Sequence, residues 1–121
     1  MKRCMAYRSF LDAGVRAAAG SDFSPGPFDP RMAIQGMVTR TGWDGKTWGA
    51  NQRITVEEAL RVNTINGAYN SHEEAIKGSI TPGKLADFVV LADDPHTQSP
   101  DKIKDIEIVE TVSGGKTVYR K

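Results

Sequence analysis

A short apolar run, Val15 to Ala19, ends at Gly20-Ser21-Asp22, and the residues on either side of it leave the chain few folds to choose from. The run has the length and composition of a buried strand, and Gly20 marks its end. Phe23-Ser24-Pro25-Gly26-Pro27-Phe28 cannot continue a ladder, because its two prolines and glycine break any regular repeat. Asp29-Pro30 then opens a helix, with Asp29 as N-cap and Pro30 at N1, where the missing N–H costs nothing. Ahead of the run, residues 1 to 13 read as a helix, with Met1, Cys4, Tyr7 and Leu11 along one stripe and Gly14 as its C′ residue. Arg16 interrupts the run and reads as lying near the strand's entry with its head in solvent. Helix, strand, loop, helix is the rhythm of a parallel sheet or barrel. In a barrel, an acid at the carboxyl end of a strand faces the active-site mouth, and Asp22 stands there. Taken alone, an Asp after a strand reads first as a turn or cap residue.

Composition narrows the class. At 121 residues, 39% apolar and 26% charged, the chain is the size of one domain and can bury a core. A net charge of +1 gives no electrostatic reason to expect nucleic acid or an acidic surface as partner. The single cysteine, Cys4, excludes an internal disulfide and fits a reducing compartment. No apolar run approaches the ~18 residues of a membrane span and the start is not signal-like, so a cytoplasmic location is the default expectation. The two histidines, His72 and His96, stand without H-x-H or H-x-x-x-H spacing. A self-contained zinc site draws three or four ligands from His, Cys and carboxylates, and no such cluster is visible here.

Downstream of Pro30 a helix is predicted to about Arg40, with Ala33, Ile34, Met37 and Val38 apolar and Gly36 implying close packing against a neighbour. Trp43 and Trp48 bracket a loop from Thr41 to Arg53, where they either line a cleft or, as the preferred reading, pin the loop to the body. Thr55-Val56-Glu57-Glu58 is a capping box, and the helix it starts is predicted to run to about Tyr69. His72 falls in a polar connector and reads as a solvated loop residue. Pro82-Gly83 suits a type II turn. Phe88-Val89-Val90-Leu91 looks like a strand buried on both faces, and residues 96 to 102 like loop. Ile106–Val112 and Thr117–Tyr119 are predicted strands joined across Ser113-Gly114-Gly115-Lys116, with Glu107 on the solvated face.

Several of these stretches together resemble one family. Leu11-Asp12-Ala13-Gly14-Val15 leading to Gly20-Ser21-Asp22, then Pro27-Phe28-Asp29-Pro30 and Val38-Thr39-Arg40, are similar to the last barrel segments of the amidohydrolase superfamily, in its family-3, long-chain branch. Thr55-Val56-Glu57-Glu58-Ala59-Leu60 and Thr64-Ile65-Asn66-Gly67-Ala68-Tyr69 continue the likeness. Its most specific element is Gly78-Ser79-Ile80-Thr81-Pro82-Gly83-Lys84-Leu85-Ala86-Asp87-Phe88-Val89-Val90-Leu91.

The resemblance implies an α/β fold: the terminal βα segments of a TIM-barrel-like metal-dependent hydrolase, followed by a few strands of a small β-sandwich. Residues 1–76 would supply the seventh helix, the eighth strand, the eighth helix and the helix after it; residues 77–121 would supply sandwich strands. Members of the family bind one or two divalent metals through an H-x-H, a lysine or acid, two later histidines, and an aspartate after the eighth strand. Asp22 matches that last position, and none of the other ligands has a counterpart in this sequence. The chain is therefore identified with the carboxy-terminal piece of an amidohydrolase that hydrolyses non-peptide C–N bonds of a small amide-type substrate. In the longer parent, Asp22 would bind metal and take a proton from the water that the metal activates. The implied cofactor is a divalent metal, zinc first, in the full-length parent and none in this chain alone, which is expected to be inactive. The alternative is a non-catalytic, β-rich oligomerisation or interaction module from a truncated gene. Strand edges lacking their neighbours predict a homo-oligomer under either reading.

Overall fold

The computed structural model describes residues 4–121, so the expectation for Met1 lies outside the described residues. The first helix, α1, spans Tyr7–Asp12 and starts later than the apolar stripe predicts. Met5 has φ +49°, which interrupts a helical path ahead of Tyr7, and Cys4 is exposed. Tyr7 and Leu11 still face the core. Gly14 follows with φ +74°, as its place after the helix requires.

Helix α2, Pro30–Thr39, obeys the predicted grammar. The Asp29 side chain accepts from the Arg31 amide at 2.9 Å, and Arg40 closes the helix in the left-handed region at φ +58°. Ile34 and Met37 are buried, with Ala33 and Val38 packed beside them. Gly36 departs from its expectation: a Cβ built there meets nothing within 4 Å, so the glycine is not the mark of a close neighbour. Gly36→Ala should therefore raise stability by about 1 kcal/mol, through helix propensity and a less disordered unfolded chain. A urea midpoint that falls instead would mean that the site is more crowded than its geometry.

The loop after α2 closes on itself through a Thr41–Thr47 bridge and Trp48 N–H to Arg40 C=O at 2.8 Å. A short 3-10 helix, Ala50–Gln52, then buries Gln52, whose side chain accepts from Ser9 N–H at 3.0 Å and donates to Ser9 Oγ at 2.9 Å. That exchange fastens α1 to the loop without leaving a buried amide unpaired.

The capping box forms as read: Thr55 Oγ1 accepts from Glu58 N–H, and Glu58 returns to Thr55 N–H at 2.8 Å. Glu58 also meets the Arg8 guanidinium with both oxygens, at 2.8 and 2.9 Å. The helix does not continue to Tyr69. It breaks at Thr64 (φ −127°, ψ −92°) into α3, Val56–Asn63, and α4, Ile65–Asn70. Asn63 Nδ2 donates to Ala59 C=O and Thr64 Oγ1 to Leu60 C=O, so two consecutive side chains compete with the backbone for helix carbonyls.

The predicted strand Val15–Ala19 does not form a ladder; the segment makes no strand pairing among the described residues, and Val15 is half exposed. Strand structure needs a neighbouring backbone, and here the segment instead leans on the helices, Ala19 N–H to Val62 C=O at 3.3 Å and Asn66 Nδ2 to Ala17 C=O at 2.9 Å. Arg16 is not simply solvated either: its guanidinium lies 4.6 Å over the Tyr69 ring.

The last third forms an antiparallel three-stranded sheet in the order β1-β2-β3, with β1 Phe88–Leu91, β2 Ile108–Ser113 and β3 Lys116–Arg120. Gly114 (φ +55°) and Gly115 (φ +76°) make the predicted tight hairpin between β2 and β3. The Pro82-Gly83 turn also forms, with Gly83 at φ +92° and Lys84 N–H on Thr81 C=O. Burial of β1 on both faces is not found: Phe88, Val89 and Val90 are exposed, because no second layer among the described residues covers this small sheet. Residues 96 to 102 are not all loop, since Pro100–Asp105 winds into a second 3-10 helix. That helix buries Ile103, and Ile103 and Ile106 join Ile34, Met37, Ile54, Ala59 and Val62 in one cluster.

Candidate functional site

The residues around Asp22 form a loop closed at both ends. Asp22 itself has φ +51°, and its C=O accepts from Gly26 N–H at 3.2 Å. Ser21 Oγ accepts from Phe23 N–H at 3.3 Å. A side chain at position 26 is excluded, because its Cβ would lie 2.1 Å from the Ser21 carbonyl oxygen. The Phe23 and Phe28 rings meet edge to face at 5.6 Å across the loop.

The far end is held by Asp29. Besides capping α2, its carboxylate takes hydrogen bonds from the Arg31 guanidinium, which hold the Asp29 carboxyl below the ordinary carboxylate range. Arg31 also donates to the Ile106 carbonyl, linking the loop's exit to the segment that leads into β2.

Asp22 sits at the end of the 15–22 segment, exposed, and its carboxylate makes no hydrogen bond or ion pair with the described residues. Among the described residues no group of three or more His, Cys, Asp or Glu converges into a set able to hold a metal ion. An open cleft of about 370 Å³ lies elsewhere, between α1 and the α3–α4 pair, lined by Arg8, Arg16, Glu58, Arg61, Asn66 and Tyr69. Asp22 is not part of it, so the one candidate acid and this cleft are separate features.

The other sequence candidates divide between structural contacts and open solvent, and of the two tryptophans only Trp48 fulfils the pinning expectation. Trp48 pins its loop, Nε1 donating to Asp44 Oδ1 at 3.2 Å, while Trp43 stands 87% exposed at the tip. His72 is an exposed turn residue at φ +58°. Glu107 faces solvent and pairs with Lys121; Glu110 takes hydrogen bonds from Thr117 and Arg120. Lys84, inside the most specific motif, donates to Glu74 C=O and to Ser79 Oγ at 2.9 Å, clasping the 74–79 turn. One contact had only half a signal in sequence: Asp94-Pro95-His96 places a carboxylate beside the imidazole. Glu57, on the ring's other side, comes from a distant position.

Comparison with known proteins decides the lineage. The model of the amidohydrolase family matches residues 2–119. The chain belongs to the amidohydrolase family. The Bacillus subtilis (strain 168) protein YtcJ is 33% identical over 124 residues, covering all of this chain and 23% of YtcJ. An N-substituted formamide deformylase of Arthrobacter pascens is 33% identical over 114 residues, covering 94% of this chain and 21% of the deformylase. An amidohydrolase structure from Thermotoga maritima MSB8 superposes with a TM-score of 0.71 at 22% identity, over 95% of this chain and 26% of that one, which is a likeness of fold. The chain thus spans between a fifth and a quarter of the length of these two curated relatives. Among the described residues no helix is long and apolar enough to cross a membrane.

Proposed function

We propose that this amidohydrolase-family chain is the carboxy-terminal portion of a metal-dependent enzyme that hydrolyses a non-peptide C–N bond in a small amide-type substrate. Residues 1–76 then correspond to the last barrel segments and residues 77–121 to strands of a small sandwich. The observation that carries the reading is the near end-to-end family match, within which Asp22 closes the 15–22 segment just before a capped helix. The deformylase among its relatives supports the amide-type substrate class.

The donor chemistry sets a limit. A carboxylate suits a divalent metal, but Asp22 is one donor, and three or four are needed. The described residues therefore do not fit a metal by themselves, and Asp22 would serve a site completed by donors from outside this chain. When bound there, a divalent metal supplies water activation at neutral pH. What this chain contributes is the Asp22 carboxylate, without a partner among the described residues and projecting from a loop that Gly26 and Asp29 hold closed. Such a carboxylate is able to ligate and to accept a proton.

Grafting tests this. The chain replaces the matching residues of the Arthrobacter pascens deformylase, and metal content and deformylation are measured. The graft should retain metal, and Asp22→Ala within it should lose metal and lower kcat/KM by roughly 10²–10⁴. A graft that keeps metal and rate after Asp22→Ala removes Asp22 from the site. The dialysed 121-residue chain alone should hold well under one metal per chain by elemental analysis. Light scattering on the same sample reads whether the open edges of β1 and β3 recruit a second copy.

A further inference from the structure

His96 lies in the turn between β1 and the second 3-10 helix, and Asp94 organises that turn. The Asp94 carboxylate accepts from His96 N–H at 2.9 Å, and its backbone carbonyl accepts from Thr97 N–H, Gln98 N–H and Thr97 Oγ1. The imidazole bridges two carboxylates. Nδ1 is 2.9 Å from Asp94 Oδ1 on its own turn, and Nε2 is 3.4 Å from Glu57 Oε2 in the first turn of α3. These are the two charged groups that act on the ring.

Proton counting makes the arrangement conditional. A carboxylate only accepts, and a neutral imidazole has one N–H and one lone pair. Both contacts are satisfied together only by the imidazolium; a neutral ring turns a lone pair toward one of the two acids. We propose that His96 is a proton-operated latch, tying the turn after β1 to the start of α3 when the ring is doubly protonated and releasing it when the ring is neutral.

The rest of the junction does not titrate in this way. The second 3-10 helix docks on α2 through buried Ile103 and a Lys104 N–H to Gln35 Oε1 hydrogen bond at 3.0 Å. Opening the latch therefore frees the turn and leaves the core in place. The direction comes from linkage. The hydrogen bond to Asp94, and after it the longer contact with Glu57, raise the His96 pKa above its ordinary value. The latch's stabilisation is complete below the unfolded-state pKa and is lost as pH rises through the raised folded-state value. The helix dipole at the start of α3 opposes the cation weakly, which Glu57 offsets.

The test is an NMR titration of the imidazole nitrogens in the 121-residue chain, with His72→Gln assigning the two histidine signals. His96 should titrate above the ordinary histidine value, and Glu57→Gln should lower its midpoint. Approximately 1 M salt should move it the same way, because all three groups are about half exposed. Hydrogen-exchange protection at the His96, Thr97 and Gln98 amides, taken as the ratio of wild type to a His96→Gln variant, should fall toward one as pH rises through that midpoint. A drop of at most about fivefold is expected, the ceiling of an exposed ion pair. A midpoint unmoved by Glu57→Gln, or a protection ratio flat across the titration, overturns the latch.

Discussion

Gly78→Ala is expected to destabilise the folded chain by about 3 kcal/mol, the sum of a backbone and a packing penalty. Gly78 adopts φ +88°, a conformation in which a Cβ clashes with its own carbonyl path. The added atom would also lie 2.7 Å from Ala68 Cβ and 3.0 Å from Ile65 Cα. Ile65 Cα is backbone, at the head of α4, so it cannot rotate away as a flexible side chain would. Gly78 is where the chain crosses α4 on its way to the Pro82-Gly83 turn, and the helix has placed its small residue, Ala68, under the crossing. Gly83→Ala provides the control. Its φ is +92°, yet a Cβ there meets nothing within 4 Å, so it should show the backbone cost alone. Urea denaturation of both variants separates the terms: similar slopes, with a midpoint loss for Gly78→Ala clearly larger than for Gly83→Ala. Equal losses would mean that the crossing over α4 is not tight.

These two glycines also show what a sequence of this kind discloses. The Pro82-Gly83 turn, the Asp29 and Thr55 caps and the Gly114-Gly115 hairpin were legible because each depends on residues within a few positions of one another. The strand expected at Val15–Ala19 failed for the opposite reason. An apolar run states that a segment is to be buried, but the pairing that makes it a strand belongs to another stretch of backbone. The break at Thr64 was hidden because Asn63 and Thr64 turn inward on their own helix, which composition does not reveal. The candidate site divides in the same way. Asp22 is proposed from the end of an apolar run and from family likeness, both readable in sequence, whereas Glu57 meeting His96 depends on how α3 lies against the turn after β1.

Ile103→Ala should cost about 3 kcal/mol, within the 2–5 kcal/mol range for truncating a buried isoleucine to alanine. Ile103 is 2% exposed and is among the largest fully buried side chains described. It lies in Pro100–Asp105, a segment whose polar sequence (Pro, Asp, Lys, Lys, Asp) conceals a single anchoring position. A 3-10 helix this short has little stability of its own, so its order comes from docking on α2. Removing the anchor leaves the packing of Ile106 and two hydrogen bonds, Lys104 N–H to Gln35 and Arg31 to the Ile106 carbonyl, to tie this segment to α2. Ile103→Val, which keeps the branched shape and loses one methylene, should cost only about 1 kcal/mol. If the core is one cooperative unit, Ile103→Ala lowers the midpoint of unfolding seen at Trp48 and at the sheet together. If the two probes separate, the sheet has come free of the helices first, and Ile103 holds the halves of the chain together rather than the chain as a whole.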